Sequence, residues 1–441
     1  MILPSRLKRI VAAYSVNRLG TWFGYVALSV AVFDHTGSAL AVAALLIAGQ
    51  VLPAFLAPAV IARVEASARR GRLTALYLLE TLATLGLVLF IWKFWLPAVL
   101  LLVLLDGAAA LAASSLLRAE AARAGRKHVE SGAGEPSSNG ELAPSSEEAE
   151  RKANAALNIA FSGTFVLGPA IAGALVASAG ASAALFIDAA SFLICGLILI
   201  DLRPHVEEPD GSSVFARLGV AWQYIRSAPT LRMLLLTEAI ALVFFQFSAP
   251  IEVAYAKVTL QAGDRGYGLL LGAWGVGVVV GSLVFARMLR ASLKVLLSAG
   301  TLAVGLAYLG FAAAPSLLLA CIAALIGGLG NGVQWASLIS AVQRLSPQPL
   351  YGRMMGAVES LSAACPALGL AVGGALVAVS SPRTAFLVAG TGAAATTLGF
   401  LRLALQVKPD LDPGAGSVPS LGEVSARALG DSAPTHPTPL G

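Results

Sequence analysis

RPHVEEPDGSSVFARLGVAWQYIRS, residues 203–227, is the stretch whose reading decides the fold. It is a polar break near the middle of the chain, with a block of long apolar runs on either side. Within it, Val214, Leu218, Ala221, Trp222 and Ile225 recur at roughly helical spacing, while Arg217, Gln223 and Arg226 take the other face. That pattern suits a helix lying on a membrane surface with its aromatic residues at the headgroups, or a solvated linker helix. On both readings the chain divides into two membrane-embedded halves joined at the surface.

The composition demands a membrane. Of 441 residues, 57% are hydrophobic and 12% charged, with mean hydropathy +0.80; a soluble domain is about 25% charged. Continuous apolar runs of about 20 residues favour transmembrane helices over the alternating stretches of about ten that build barrels. The expected fold class is an all-α polytopic membrane protein. Cys195, Cys321 and Cys365 lie singly in apolar runs, so no disulfide framework and no metal site is expected. The net charge of +6 comes from basic residues in the short breaks between apolar runs, as membrane orientation requires and nucleic-acid binding does not.

Taken in order, the first apolar run, about 10–33, exceeds the roughly 7–15 residues of a signal peptide core and reads as a span. Trp92 and Trp95 bracket Lys93 ahead of Pro97, an interfacial turn. The polar insertion 118–152 has a middle rich in Gly, Ser, Pro and Glu with no apolar period, and reads as flexible. About twelve spans result, six on each side of the break. The domains expected are an N-terminal six-helix bundle (1–202), the linker (203–228), a C-terminal six-helix bundle (229–406) and a disordered tail (407–441).

Basic residues orient the chain. With the N-terminus inside, 25 of the 30 Lys and Arg fall on the cytoplasmic side. Only Lys93, Lys257, Arg265 and Arg383 fall outside, and Arg18 lies within the first span. Both termini are therefore expected in the cytoplasm and the chain in a plasma membrane, the inner one in a bacterium. The halves also echo each other: Ala62-Arg63 with Ala286-Arg287, Gly168-Pro169 with Cys365-Pro366, and Gly173 with Gly373-Gly374. Duplicated halves are a common transporter construction.

Several short stretches carry a resemblance: Thr36-Gly37-Ser38-Ala39-Leu40-Ala41-Val42, Leu56-Ala57-Pro58, Tyr267-Gly268-Leu269-Leu270 and Tyr351-Gly352-Arg353-Met354-Met355-Gly356. In this order they resemble the major facilitator superfamily, in the branch of the enterobactin exporter and the macrolide efflux proteins. The resemblance covers nearly all of residues 5–406. It implies two pseudo-symmetric six-helix bundles and alternating access. In the loop between spans two and three, Glu65 takes the family's acidic position and Arg69 and Arg70 its basic pair, while Ile61 and Ala66 depart from the pattern. In span five, Gly168, Pro169 and Gly173 match the exporters' motif and Ala172 replaces one glycine; close helix approach alone also accounts for these small residues.

An ionisable group at the centre of a bilayer costs at least about 2.5–3.5 kcal/mol, so it faces a cavity or a partner. Arg18, Glu80, Asp106, Asp188, Glu238, Glu252 and Glu359 are so placed. Asp106 is the deepest, and Asp188 and Glu252 lie nearer the outer face. The family's cavity-lining spans favour Arg18, Asp106, Glu238 and Gln334, with Asn17 as a further cavity residue. The proton-coupling candidates are Asp106, Glu238, Glu80, Glu359 and Arg18, with Arg18 as the cation to pair with Asp106. Burial disfavours a lone charged carboxylate, which suits it to carrying protons. There is no GxxxxGK[ST] phosphate loop, and His35, His128, His205 and His436 are scattered, so neither enzyme nor cofactor is expected. The reading is a monomeric, proton-coupled exporter of a small amphipathic molecule. A lipid or lysolipid transporter and a non-transporting sensor or scaffold are the alternatives.

Overall fold

The computed structural model describes residues 5–56, 60, 71–132, 146–201, 222–288, 291–347 and 350–406. Glu65, Arg69 and Arg70, most of the linker and the tail 407–441 lie outside the described residues. Helix α1 spans Ser5–Thr36. Helix α2, Ala39–Leu46, continues through a π-helical turn, Ile47–Val51. Then come α3, Arg72–Trp92, and α4, Leu96–Gly132. The run Ser146–Ile198 is two helices, α5 and α6, meeting at Gly180, where φ 84° and ψ 164° admit only glycine without strain.

In the second half α7, Pro229–Gln246, carries on through Ser248–Ala254 and a second π-helical turn, Tyr255–Thr259. The remaining helices are α8, Gly263–Arg287; α9, Leu293–Ala313; α10, Leu317–Leu345; α11, Tyr351–Val379; and α12, Pro382–Gln406. Among the described residues the fold is thus twelve helices with no strand, six in each half. By length and hydropathy, 10 stretches are able to cross a bilayer, α5 and α6 counting as one. Helix α1 falls short because Asn17, Arg18 and Asp34 dilute its apolar run. The outer surface of the bundle is apolar: Leu82, Leu101, Leu167, Leu236 and Leu318 are each more than half exposed. Water would not tolerate such a belt, and lipid does.

Short turns make successive helices antiparallel, so the α1–α2 and α7–α8 turns share one end, here the turn end, and the linker lies at the other. Packing differs between the ends. At the turn end one apolar cluster runs through both halves, from Val26, Val30 and Val42 to Tyr255, Tyr308 and Phe386. At the linker end each half keeps its own cluster, one around Tyr14, Tyr77 and Leu117, the other around Leu234, Leu297 and Met354. Among the described residues the halves therefore share one core at the turn end and keep separate cores at the other, the parted end.

Two helix crossings make the joint. A Cβ added to Gly173 of α5 would lie 2.5 Å from the Cα of Gly268 on α8. One added to Gly374 of α11 would lie 3.0 Å from the Cα of Leu40 on α2. Only glycine lets backbones meet this closely.

The structure corrects the expectation for the insertion 118–152 at both flanks. Helix α4 runs on to Gly132, and α5 begins at Ser146. The Ala, Arg, Glu and Lys of these flanks are strong helix formers, and extending an existing helix avoids the cost of nucleation. Arg6 ties the start of α1 to this extension through a 3.0 Å ion pair with Glu120. Residues 133–145 lie outside the described residues. Of the amphipathic linker segment only 222–227 is described, and it is helical.

Candidate functional site

A cavity of about 410 Å³ lies between the halves, lined by Arg18, Trp22 and Tyr25 of α1, Gln50, Phe165, and Phe245, Glu252 and Trp274 from the second half. The local sequence explains these positions. Arg18, Trp22 and Tyr25 recur at i, i+4 and i+7, one helical face. Gln50 sits in the π-helical turn of α2, whose extra residue turns it out of the regular register. Trp22 packs edge-on against Tyr25 at 5.6 Å and Phe165 at 5.4 Å. On the facing half Phe245 lies 5.8 Å from Trp274, which stacks on Tyr308 at 5.8 Å.

Above the cavity, at the turn end, Lys257 bridges the halves. Its Nζ is 2.6 Å from Asp34 Oδ1 on α1 and 2.7 Å from Asp264 Oδ1 on α8. Lys257 belongs to the π-helical turn that ends α7. Below it, Tyr255 donates to the Phe311 carbonyl at 2.7 Å and Tyr308 to the Phe245 carbonyl at 2.9 Å. Arg383 donates to the carbonyl of Ala314 at 2.9 Å and so caps the end of α9.

Apart from Glu252, the buried acids described in the spans form two groups away from the cavity lining. In the first half Glu80 of α3, Asp106 of α4 and Asp188 of α6 lie within electrostatic reach of one another, with Asn17 beside Glu80. Both Glu80 oxygens and the Oδ1 atoms of Asp106 and Asp188 are buried without a hydrogen-bond partner. Gly20 and Gly24 of α1 leave the space that the Asp188 carboxylate fills. In the second half Glu238 of α7 accepts a 3.0 Å hydrogen bond from Gln334 Nε2 of α10, with both side chains buried.

Depth along the chain places these residues differently from three-dimensional packing. Arg18 lines the cavity, but Asn17 and Gln334 do not. Among the described residues Asp106 makes no ion pair with Arg18; its neighbours are the other two acids. Glu359 is on α11, with its side chain outside the described residues. Gly168 packs against Trp22, and Gly173 makes the α5–α8 crossing. Sequence reasoning missed the cavity role of Glu252 and the aromatic lining. The one available signal was the pair of aromatic residues on the face of α1 that also carries Arg18.

Two six-helix halves around a shared cavity define an all-helical membrane protein with the fold of the major facilitator superfamily. The chain belongs to the transmembrane secretion effector family, which matches residues 147–419. It is 28% identical over 269 residues to the multidrug efflux pump Tap of Mycobacterium tuberculosis (strain ATCC 25618 / H37Rv), a match covering 59% of this chain and 62% of that one. It is 25% identical over 267 residues to the uncharacterized MFS-type transporter YfiS of Bacillus subtilis (strain 168), covering 58% and 64%. The match therefore spans somewhat less than two thirds of these relatives' length. Among solved structures the nucleoside transporter NupG superposes with a TM-score of 0.71 at 12% identity, over 92% of this chain and 100% of that one. A bacterial homologue of the iron transporter ferroportin in an inward-facing state gives 0.65 at 15% identity, over 92% and 100%. At these identities the structural likeness speaks for the fold alone.

Proposed function

We propose that this protein is a secondary active exporter that carries a small amphipathic molecule out of the cell by alternating access, in exchange for protons. It acts as a monomer, because each half finds its partner within the chain. The observation that carries this reading is the cavity lined from both halves, sealed at the turn end and flanked by buried acids. A cavity shared by two halves opens to either side as they rock about it. Unpartnered carboxylates in apolar walls are natural proton carriers. The basic asymmetry supports an orientation with the linker end and both termini on the cytoplasmic side. On that orientation the parted end faces inward, ready to load.

The test is transport by purified protein in liposomes under an imposed pH gradient, with siderophores, macrolides and lysolipids as the panel. Gradient-dependent accumulation that a protonophore collapses is expected for at least one amphipathic compound. Accumulation that ignores the gradient would remove proton coupling, and lysolipid movement alone would favour the lipid-handling alternative.

A further inference from the structure

Glu252 is the carboxylate of the cavity itself. It sits on the far part of α7, among Trp22, Tyr25, Phe245 and Trp274, which line the same ≈410 Å³ space. Among the described residues it forms no ion pair. The nearest basic residue along its own helix, Lys257, is committed to Asp34 and Asp264 at 2.6 and 2.7 Å. Arg18 lies seven residues before Tyr25 on α1, about 10 Å along the helix axis towards the parted end.

Ser248, one turn earlier on the same helix, hydrogen-bonds the Glu252 carboxylate, and Gln50 and Gln246 add neutral polar groups to the lining; neutral partners leave a largely desolvated carboxylate in need of a counter-charge. Aromatic rings attract a cation over their faces and repel an anion. The two features select for the same ligand charge, and the rings supply contact for an apolar body. The opposed placement of Arg18 sets a direction along the cavity: a cation is favoured at the sealed end and disfavoured nearer the mouth. We infer that Glu252 is a cation-binding subsite. The substrate class is a monovalent organic cation with a bulky apolar or aromatic body, seated with its charge at Glu252 and its body among the rings. This narrows the export reading, on which it rests, to one charge type. It also separates substrate recognition at Glu252 from Asp106 and Glu238, neither of which lines the cavity.

The experiment is equilibrium binding of tetraphenylphosphonium and tetraphenylborate, ions of one shape and opposite charge, to the purified full-length protein. Wild-type protein is expected to prefer the cation by about tenfold or more. Glu252→Gln should lose that preference by weakening cation binding about tenfold. Glu252→Asp, which keeps the charge, should retain most of it. Size-exclusion profile and melting temperature establish that the variants fold, and the wild-type comparison of the two ions stands without them. Equal binding of both ions, no cation binding by wild type, or an undiminished preference in folded Glu252→Gln overturns the inference. Binding is read without a gradient. Selective binding with no export would therefore sink the export reading alone, and export without charge selectivity would sink this inference alone.

Discussion

At the scale of single residues, the acids of the first half have the sharpest consequence. Asp106, Glu80 and Asp188 come from three helices and share one apolar region. Buried carboxylates that share one region feel one another's charge, so removing one alters the surroundings of the other two. Asp106→Asn keeps the size and removes the titratable group. It is expected to abolish uphill, gradient-driven efflux while leaving substrate binding and downhill movement. The check is reconstituted protein under an imposed pH gradient beside counterflow without one. If the variant still concentrates substrate at the wild-type rate, Asp106 does not carry the proton. Glu238, held by Gln334 at 3.0 Å, is then the next acid to change.

At the scale of elements, the α5–α8 crossing is the closer of the two joints between the halves. Gly173 and Gly268 meet backbone to backbone, and Gly272 of α8 continues the contact against Ala170. A side chain at this crossing must push the helices apart. Overpacking a tight contact costs about 1–3 kcal/mol. Gly268→Leu is expected to lower the melting temperature of the purified protein and to slow transport. Gly37→Ala, in a turn where an added Cβ would meet nothing within 4 Å, should leave the helix crossing intact and so separate loss of packing from strain at φ 60°. A Gly268→Leu protein with wild-type melting and rate would show that the crossing tolerates separation. The second π-helical turn matters at this scale too, because its register brings Lys257 to both Asp34 and Asp264.

At the scale of the whole molecule, the two ends of the bundle are in different states. One cluster joins the halves at the turn end, and two separate clusters part them at the linker end. The Lys257–Asp34 pair exists only while the turn end is shut. Asp34 is about half exposed, 48%, so water screens the pair and its worth is about 0.2–1 kcal/mol. Lys257→Ala is therefore expected to shift the balance towards opening at that end by up to about fivefold. Thiol labelling of a cysteine placed at Gln50, on the cavity wall, reads this out as faster reaction from the turn side. Unchanged labelling would mean that apolar packing alone holds the end closed. Orientation has its own check: in a background without the three native cysteines, Ser138→Cys should resist an impermeant thiol reagent applied to whole cells. Ready labelling would reverse the topology.

Run length and composition by themselves determined that the chain crosses a membrane as helices in two blocks, because neither a soluble core nor an open sheet can hide so much apolar surface and so many backbone polar groups. Glycines at echoing positions were legible too, although Gly173 and Gly374 were only two among 45 until α8 and α2 were seen to cross them. The cavity was less legible. Distance from a helix end can be counted along a sequence, and so the depths of Arg18 and Asp106 could be read. The direction in which a side chain points turns by about 100° per residue, and only the neighbouring helices show which direction is inward. That rotation puts Gln334 against Glu238 instead of in the cavity and puts Asp106 beside two other acids instead of Arg18. It also brings Glu252, which by depth alone belonged near the outer face, into the aromatic chamber as its carboxylate.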